Sequence, residues 1–191
     1  LDGVNTLVIG YYILVLYFIS SIDTGNSALI DDDFINLLIF SLSILLVLNC
    51  FNFLFLGDNG SYLISVFVGI YLIDLANNNV LISPYFVMNL LWYPAYETLF
   101  SIIRKILTKK SALSPDNLHL HQLVYVYLKD KISHKYYANS LSGILINIYN
   151  LIIFYFASTD YSNTKYQLFL FCFSFLVYNL LYSALKSNLK N

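Results

Sequence analysis

The sequence predicts an all-α, polytopic transmembrane helix bundle with about six spanning helices, and three observations carry that prediction. First, 59% of the 191 residues are hydrophobic and only 11% are charged, with a mean hydropathy of +0.68; this composition excludes an ordinary soluble domain. Second, the apolar residues form continuous stretches near the roughly 20 residues that cross a bilayer as a helix. Third, those stretches do not alternate apolar with polar over about ten residues, as the strands of a membrane barrel do.

Taken in order, apolar stretches fall at 6–22, 34–56, 61–76, 80–103, 137–157 and 166–185. The stretch at 61–76 is short, and the Asn77-Asn78-Asn79 run extends it to an interface where amides are tolerated. The 18 Tyr and 15 Phe are read as packing bulk and interfacial anchors. Cys50 and Cys172 lie inside spans and are read as packing residues. No internal repeat, low-complexity linker or soluble domain interrupts the chain, which is treated as a single transmembrane domain over 1–191.

Basic residues stay on the cytoplasmic side of short loops. With residues 1–5 cytoplasmic, six crossings put Arg104, Lys105, Lys109, Lys110, Lys129, Lys131, Lys135, Lys186 and Lys190 inside and leave Lys165 outside. Asp23, Asp31, Asp32, Asp33, Asp74 and Asp160 then face outward. The chain starts without Met or a signal peptide and is expected to lack N-terminal helices.

Three segments on the predicted cytoplasmic face carry candidate chemistry. Asp2-Gly3-Val4-Asn5 places a carboxylate and an amide three residues apart at the opening of the first helix, although Asp and Asn are also common helix caps. Gly57-Asp58-Asn59-Gly60-Ser61 reads as a tight turn in which Ser61 caps the next helix. Its carboxylate suits Mg²⁺, which takes one or two carboxylates plus substrate phosphates. Ser114-Pro115-Asp116-Asn117-Leu118-His119-Leu120-His121-Gln122 lies in a stretch, 101–135, with seven positive and two negative side chains, net +5. Ser114 and Pro115 read as a helix start. Within a helix His119 and His121 would point apart, so both meet one ligand only on irregular or extended backbone. A His-x-His pair without a third ligand is a poor zinc site. Imidazoles and lysines beside a helix N-terminus suit phosphate oxygens, and lysines there also attract anionic lipid headgroups.

Together these segments resemble the polyprenyl-phosphate sugar-1-phosphate transferase superfamily (bacterial glycosyltransferase family 4), in its C-terminal part. Asp2-Gly3-Val4-Asn5 is similar to the family's Asp-Gly-x-Asp/Asn-Gly-Leu segment, and Phe55-Leu56-Gly57-Asp58-Asn59-Gly60-Ser61 to its Phe-x-Gly-Asp-x-Gly-Ser segment. Pro94-Ala95-Tyr96-Glu97-Thr98, with Arg104 following, resembles a helix ending Pro-x-x-Asp-Thr and a basic residue. Ser114 to His121 resembles the Ser-Pro-Asp-x-x-His-x-His-His loop. This sequence departs from the pattern at Thr6 for Gly, Glu97 for Asp, Asn117 for Arg and Gln122 for the third His. The family's Asp-Asp-x-x-Asp segment, expected upstream of Asp2, is absent, and Asp31-Asp32-Asp33 lies on the wrong face to replace it.

The resemblance implies transfer of a sugar-1-phosphate, by default that of GlcNAc, from a UDP-sugar to polyprenyl phosphate with release of UMP, for synthesis of an envelope polysaccharide at the plasma membrane. It implies Mg²⁺, or Mn²⁺, as cofactor, with Asp58 as metal ligand and Asp58 and Asp2 as catalytic carboxylates. Asn5, His119, His121, Asp116 and Arg104 are the expected substrate-binding residues. The partners are the UDP-sugar, the lipid acceptor and the membrane, with no nucleic acid and with a homodimer open to it. The competing reading is a noncatalytic membrane interaction subunit or an inactive fragment of the family. A transporter ranks below both, because the acids sit at helix ends and are not paired at the midplane.

Overall fold

A computed structural model describes residues 4–22, 32–109, 111, 117–132 and 134–188, the side chains of Asp32 and Tyr136 excepted. Seven helices are described: α1 (Leu7–Ser20), α2 (Asp32–Cys50), α3 (Gly57–Asn78), α4 (Pro84–Leu107), α5 (Leu120–Lys129), α6 (Lys135–Thr159) and α7 (Thr164–Asn188). The all-helical expectation therefore holds. Four of these, α2, α3, α6 and α7, are long and apolar enough to cross a membrane by length and composition.

The first helix is the hub. Leu7, Val8, Ile9, Tyr11, Tyr12, Val15, Leu16, Phe18 and Ile19 are all buried, and α1 packs most extensively on α6 and α2. Its 14 residues rise only about 21 Å, short of the roughly 30 Å hydrocarbon thickness. Around it, α4 pairs with α7, and the short α5 rests on α6 and α7. The core is strongly aromatic: the Trp92 ring meets Tyr149 edge-on at 5.4 Å, and Tyr11 meets Phe154 edge-on at 5.6 Å, as ring quadrupoles favour. By contrast α2 turns Leu37, Phe40, Ile44 and Val47 outward, and α7 does the same with Phe169, Phe173 and Leu176. Apolar faces of this kind are what lipid-facing helices present.

Helix ends gather at two poles. At one, Ser83 donates its backbone N–H to Tyr161 O at 3.0 Å, tying the start of α4 to the turn before α7. Ser83 also caps α4 through Tyr85 N, with Pro84 in the first turn, the position at which proline's missing N–H costs nothing. The opposite pole holds the start of α1, the end of α2, the end of α4, α5 and the start of α6, and the candidate residues collect there.

One local expectation needs correction, and another falls outside the described residues. The Gly57–Ser61 segment is not a turn ahead of a helix; it is the first turn of α3, with Gly57 in the left-handed region at φ 66°. Ser61 accordingly does not cap the helix, and its hydroxyl donates back to Gly57 O at 3.0 Å. The expected helix start at Ser114-Pro115 lies outside the described residues, and the described helix in this loop begins at Leu120.

Candidate functional site

Two clusters occupy the pole. The first is built from neutral amides where α1 begins. Asn5 is buried and donates from Nδ2 to Asn52 Oδ1. Thr6 donates its backbone N–H to Asn49 Oδ1 at 2.6 Å and its hydroxyl to Ser140 O at 2.9 Å. Asn147 Nδ2 donates to Thr6 O at 2.9 Å. Thr6 itself sits in the left-handed region, φ 67°, which disfavours a β-branched residue; these bonds hold it there. Close approach of α6 completes the seat, since a Cβ on Gly143 would lie 2.1 Å from Asn5 O.

Beside this turn is a cleft of about 210 Å³ lined by Asn5, Asn49, Leu56 and Asn139 among others. Leu56 immediately precedes α3, whose first turn carries the exposed Asp58. A carboxylate in the first turn is favourably placed against the helix dipole. On the far side of Thr6 an apolar groove of about 400 Å³ runs between α1, α2 and α6, lined by Gly10, Leu14, Leu46, Cys50 and Ile148.

The second cluster is charged. His119 precedes α5 on extended backbone, φ −78° and ψ 150°, and its backbone N–H donates to Gln122 Oε1 at 3.3 Å. Because the chain is still extended at His119 and becomes helical only at Leu120, the two imidazoles do not diverge. They stack with centroids 5.4 Å apart and planes 8° from parallel. Glu97, from the interior of α4, meets this turn: its Oε1 lies 2.9 Å from His119 Nδ1, and its two oxygens accept the Leu120 N–H at 3.1 and 3.3 Å. Tyr93 Oη lies 3.4 Å from His121 Nδ1. The Tyr178 hydroxyl faces Glu97 closely enough to help stabilise its charge, although it falls outside strict hydrogen-bond geometry.

His121 is 2% exposed. Burial pushes its imidazole down to about 4, against the opposing pull of the Glu97 charge. It is therefore neutral at pH 7, whereas the His119 side chain remains 26% exposed.

Arg104 closes the cluster from below. Its guanidinium donates to Leu118 O, to Tyr182 Oη at 2.8 Å and to Ser101 Oγ at 3.3 Å, and it lies 5.8 Å from the Tyr182 ring centroid. These contacts brace the chain leading to His119, so this arginine ties the loop down as well as supplying charge. Of the remaining expected site residues, Asp2 and Asp116 lie outside the described residues.

The structure thus brings His119, His121 and Arg104 together and gathers Asn5 with Asn49 and Asn52. What sequence reasoning missed is Glu97 as the residue joining α4 to the histidines. Its signal was available: a lone acid within an apolar stretch needs a partner. Asn49, Asn52 and Gly143 gave no such signal. As for a metal, the described residues contain no group of three or more His, Cys, Asp or Glu side chains that could hold one.

One curated protein to which the chain is similar is the "Probable undecaprenyl-phosphate N-acetylglucosaminyl 1-phosphate transferase" of Bacillus subtilis (strain 168), 27% identical over 137 residues, covering 66% of this chain and 36% of that protein. The chain therefore resembles that transferase distantly and spans only about a third of its length. No protein-family model matches the chain, and no solved structure matches it significantly.

Proposed function

We propose that this chain forms part of a membrane-embedded phosphotransferase that moves a sugar-1-phosphate, by default that of GlcNAc, from a UDP-sugar to polyprenyl phosphate. An oxygen of the acceptor phosphate attacks the sugar-bearing phosphorus, the bond from that phosphorus to the bridging oxygen breaks, and UMP leaves. The acceptor is already an anion, so no base is required; the difficulty is bringing two anions together and stabilising charge in transit. The observation that carries the reading is the pair of stacked imidazoles beside Arg104 at one pole of an apolar bundle, in a chain with distant similarity to such a transferase. Their ring nitrogens suit phosphate oxygens.

In this reading α1 and α4 join the four apolar helices to make six crossings, with Glu97, Arg104 and both histidines on the cytoplasmic side and the apolar bundle giving the prenyl chain a lipid route to them. Mg²⁺, or Mn²⁺, supplies charge neutralisation when bound. Asp58, exposed in the first turn of α3, is the described carboxylate placed to meet it. One carboxylate does not complete a site, and the remaining oxygens would come from substrate phosphates and water. Asn5 shapes the neighbouring cleft, and Asp2 and Asp116 keep the catalytic and substrate-binding roles that the resemblance gives them.

The test uses membranes carrying the complete protein. UMP release is expected only when a UDP-N-acetylhexosamine, polyprenyl phosphate and Mg²⁺ are all present, and Asp58→Asn should lower it by about a hundredfold or more. Full activity in Asp58→Asn would remove the metal assignment. The departures from the family pattern at Thr6, Glu97 and Gln122 favour one alternative, a noncatalytic membrane subunit. Turnover by the complete protein rejects that alternative, and its absence rejects the transferase.

A further inference from the structure

We infer that Glu97 is a positioning residue: its carboxylate fixes the first turn of α5 and sets the tautomer of His119, so that the two imidazoles stand side by side. The inference depends on the reading above only for the identity of the anion those rings meet.

An ionisable group inside an apolar helix is costly and persists where partners compensate it. Glu97 is such a group, with its side chain 4% exposed. Its compensation is unusually concentrated, because the Leu120 N–H and the His119 ring, donors from adjacent residues, converge on one carboxylate. The Leu120 N–H is among the amides that a helix start leaves without an intrahelical acceptor, and Leu120 is 0% exposed. Removing the carboxylate therefore strands a buried donor, which is expensive.

The second consequence concerns protons. An ionised carboxylate only accepts hydrogen bonds, so the ring nitrogen facing it must carry the hydrogen. His119 is held as the Nδ1–H form, and its Nε2 is left for another partner. The backbone amide and the ring then share Oε1 of one carboxylate, which fixes the plane of His119. His121 stacks on that plane while Tyr93 holds its Nδ1 side. A plain helix cap would need no charge: glutamine could accept the Leu120 N–H equally well, but it tolerates either tautomer of His119.

That difference gives a test independent of turnover. The full chain, labelled with ¹⁵N-histidine and held in nanodiscs at pH 8.5, above the usual imidazole range, should show His119 as the Nδ1–H tautomer. Glu97→Gln should convert it to a mixture while leaving His134, which is exposed and outside the cluster, unchanged. Glu97→Asp should restore the wild-type signature. An Nε2–H signature in the wild type, or an unchanged one in Glu97→Gln, overturns the inference.

A second arm measures UMP release by the complete protein. Glu97→Gln is expected to raise KM for the UDP-sugar by about tenfold, more than it lowers kcat, with recovery in Glu97→Asp. A tautomer switch on Glu97→Gln, with no UMP released by the complete wild-type protein, supports the positioning role and overturns the transferase reading. Turnover by a protein whose His119 ignores Glu97 does the reverse.

Discussion

The two clusters at this pole are held by different physics. Around Asn5 and Thr6 every contact is neutral: amide to amide, amide to backbone, and α6 backbone pressed against the turn at Gly143. Around His119 the contacts centre on one buried carboxylate and an arginine. Neutral bonds at close packing are insensitive to pH and intolerant of added volume. A charged cluster tolerates small changes of volume and responds to protons. If the first is scaffold and the second is machinery, substitutions and acid should separate them.

The largest effect should come from filling the close approach. In Gly143→Ala the new methyl would meet Asn5 O at 2.1 Å, Thr6 Oγ1 at 2.5 Å and Leu7 N at 2.8 Å. Two of these are backbone atoms that cannot swing aside. The expected loss is about 3 kcal/mol, read as a lower midpoint of thermal unfolding in detergent and unchanged between pH 7 and pH 5. An unaltered midpoint would mean that α6 is not seated on the turn.

Acid should act on the other cluster. His121 is held neutral in the folded protein, with its pKa pushed from 6.5 down to about 4. Between those values the unfolded chain takes up a proton that the folded chain refuses, so stability falls as pH drops through that window and is fully present above about 6.5. Lowering the pH from 7 to 5 should cost about 2 kcal/mol from this group alone. His121→Gln, which cannot titrate, should lose that part of the slope whatever its own stability at pH 7. Parallel slopes for the two proteins would show that His121 is not the group responsible.

Much of this architecture was legible in the sequence because hydrophobic length is a local property. The apolar stretches at 34–56, 137–157 and 166–185 correspond to α2, α6 and α7, and the Asn77–Asn79 extension matches the end of α3 at Asn78. A helix in the basic loop is expected from Ser114-Pro115, but the start of α5 at Leu120 is not legible, since its 10 residues carry too little apolar periodicity to mark their own bounds. The histidine pair was legible in conditional form: two imidazoles two residues apart converge only when the backbone between them is not helical throughout, and extended backbone at His119 meets that condition. Glu97 lies 22 residues before His119 and the Asn52 contact lies 47 residues after Asn5. Spacings that long encode no local geometry, so neither partner could be read from its neighbours.

The smallest effect tests how the neutral turn tolerates its own strain. Thr6 occupies a left-handed conformation that would suit glycine, the residue usual at this position in the family it resembles. Thr6→Gly relieves that strain by roughly 1 kcal/mol. It also removes the hydroxyl that donates to Ser140 O across 134 residues of sequence, worth about as much in the other direction, and gives the unfolded chain more freedom. The terms nearly cancel, so the thermal midpoint should move by no more than about 2 °C while Thr6→Ala, which keeps the strain and loses the hydroxyl, falls further. If Thr6→Gly instead drops as far as Thr6→Ala, the hydroxyl dominates the turn and the left-handed backbone is imposed at little cost by the amides around it.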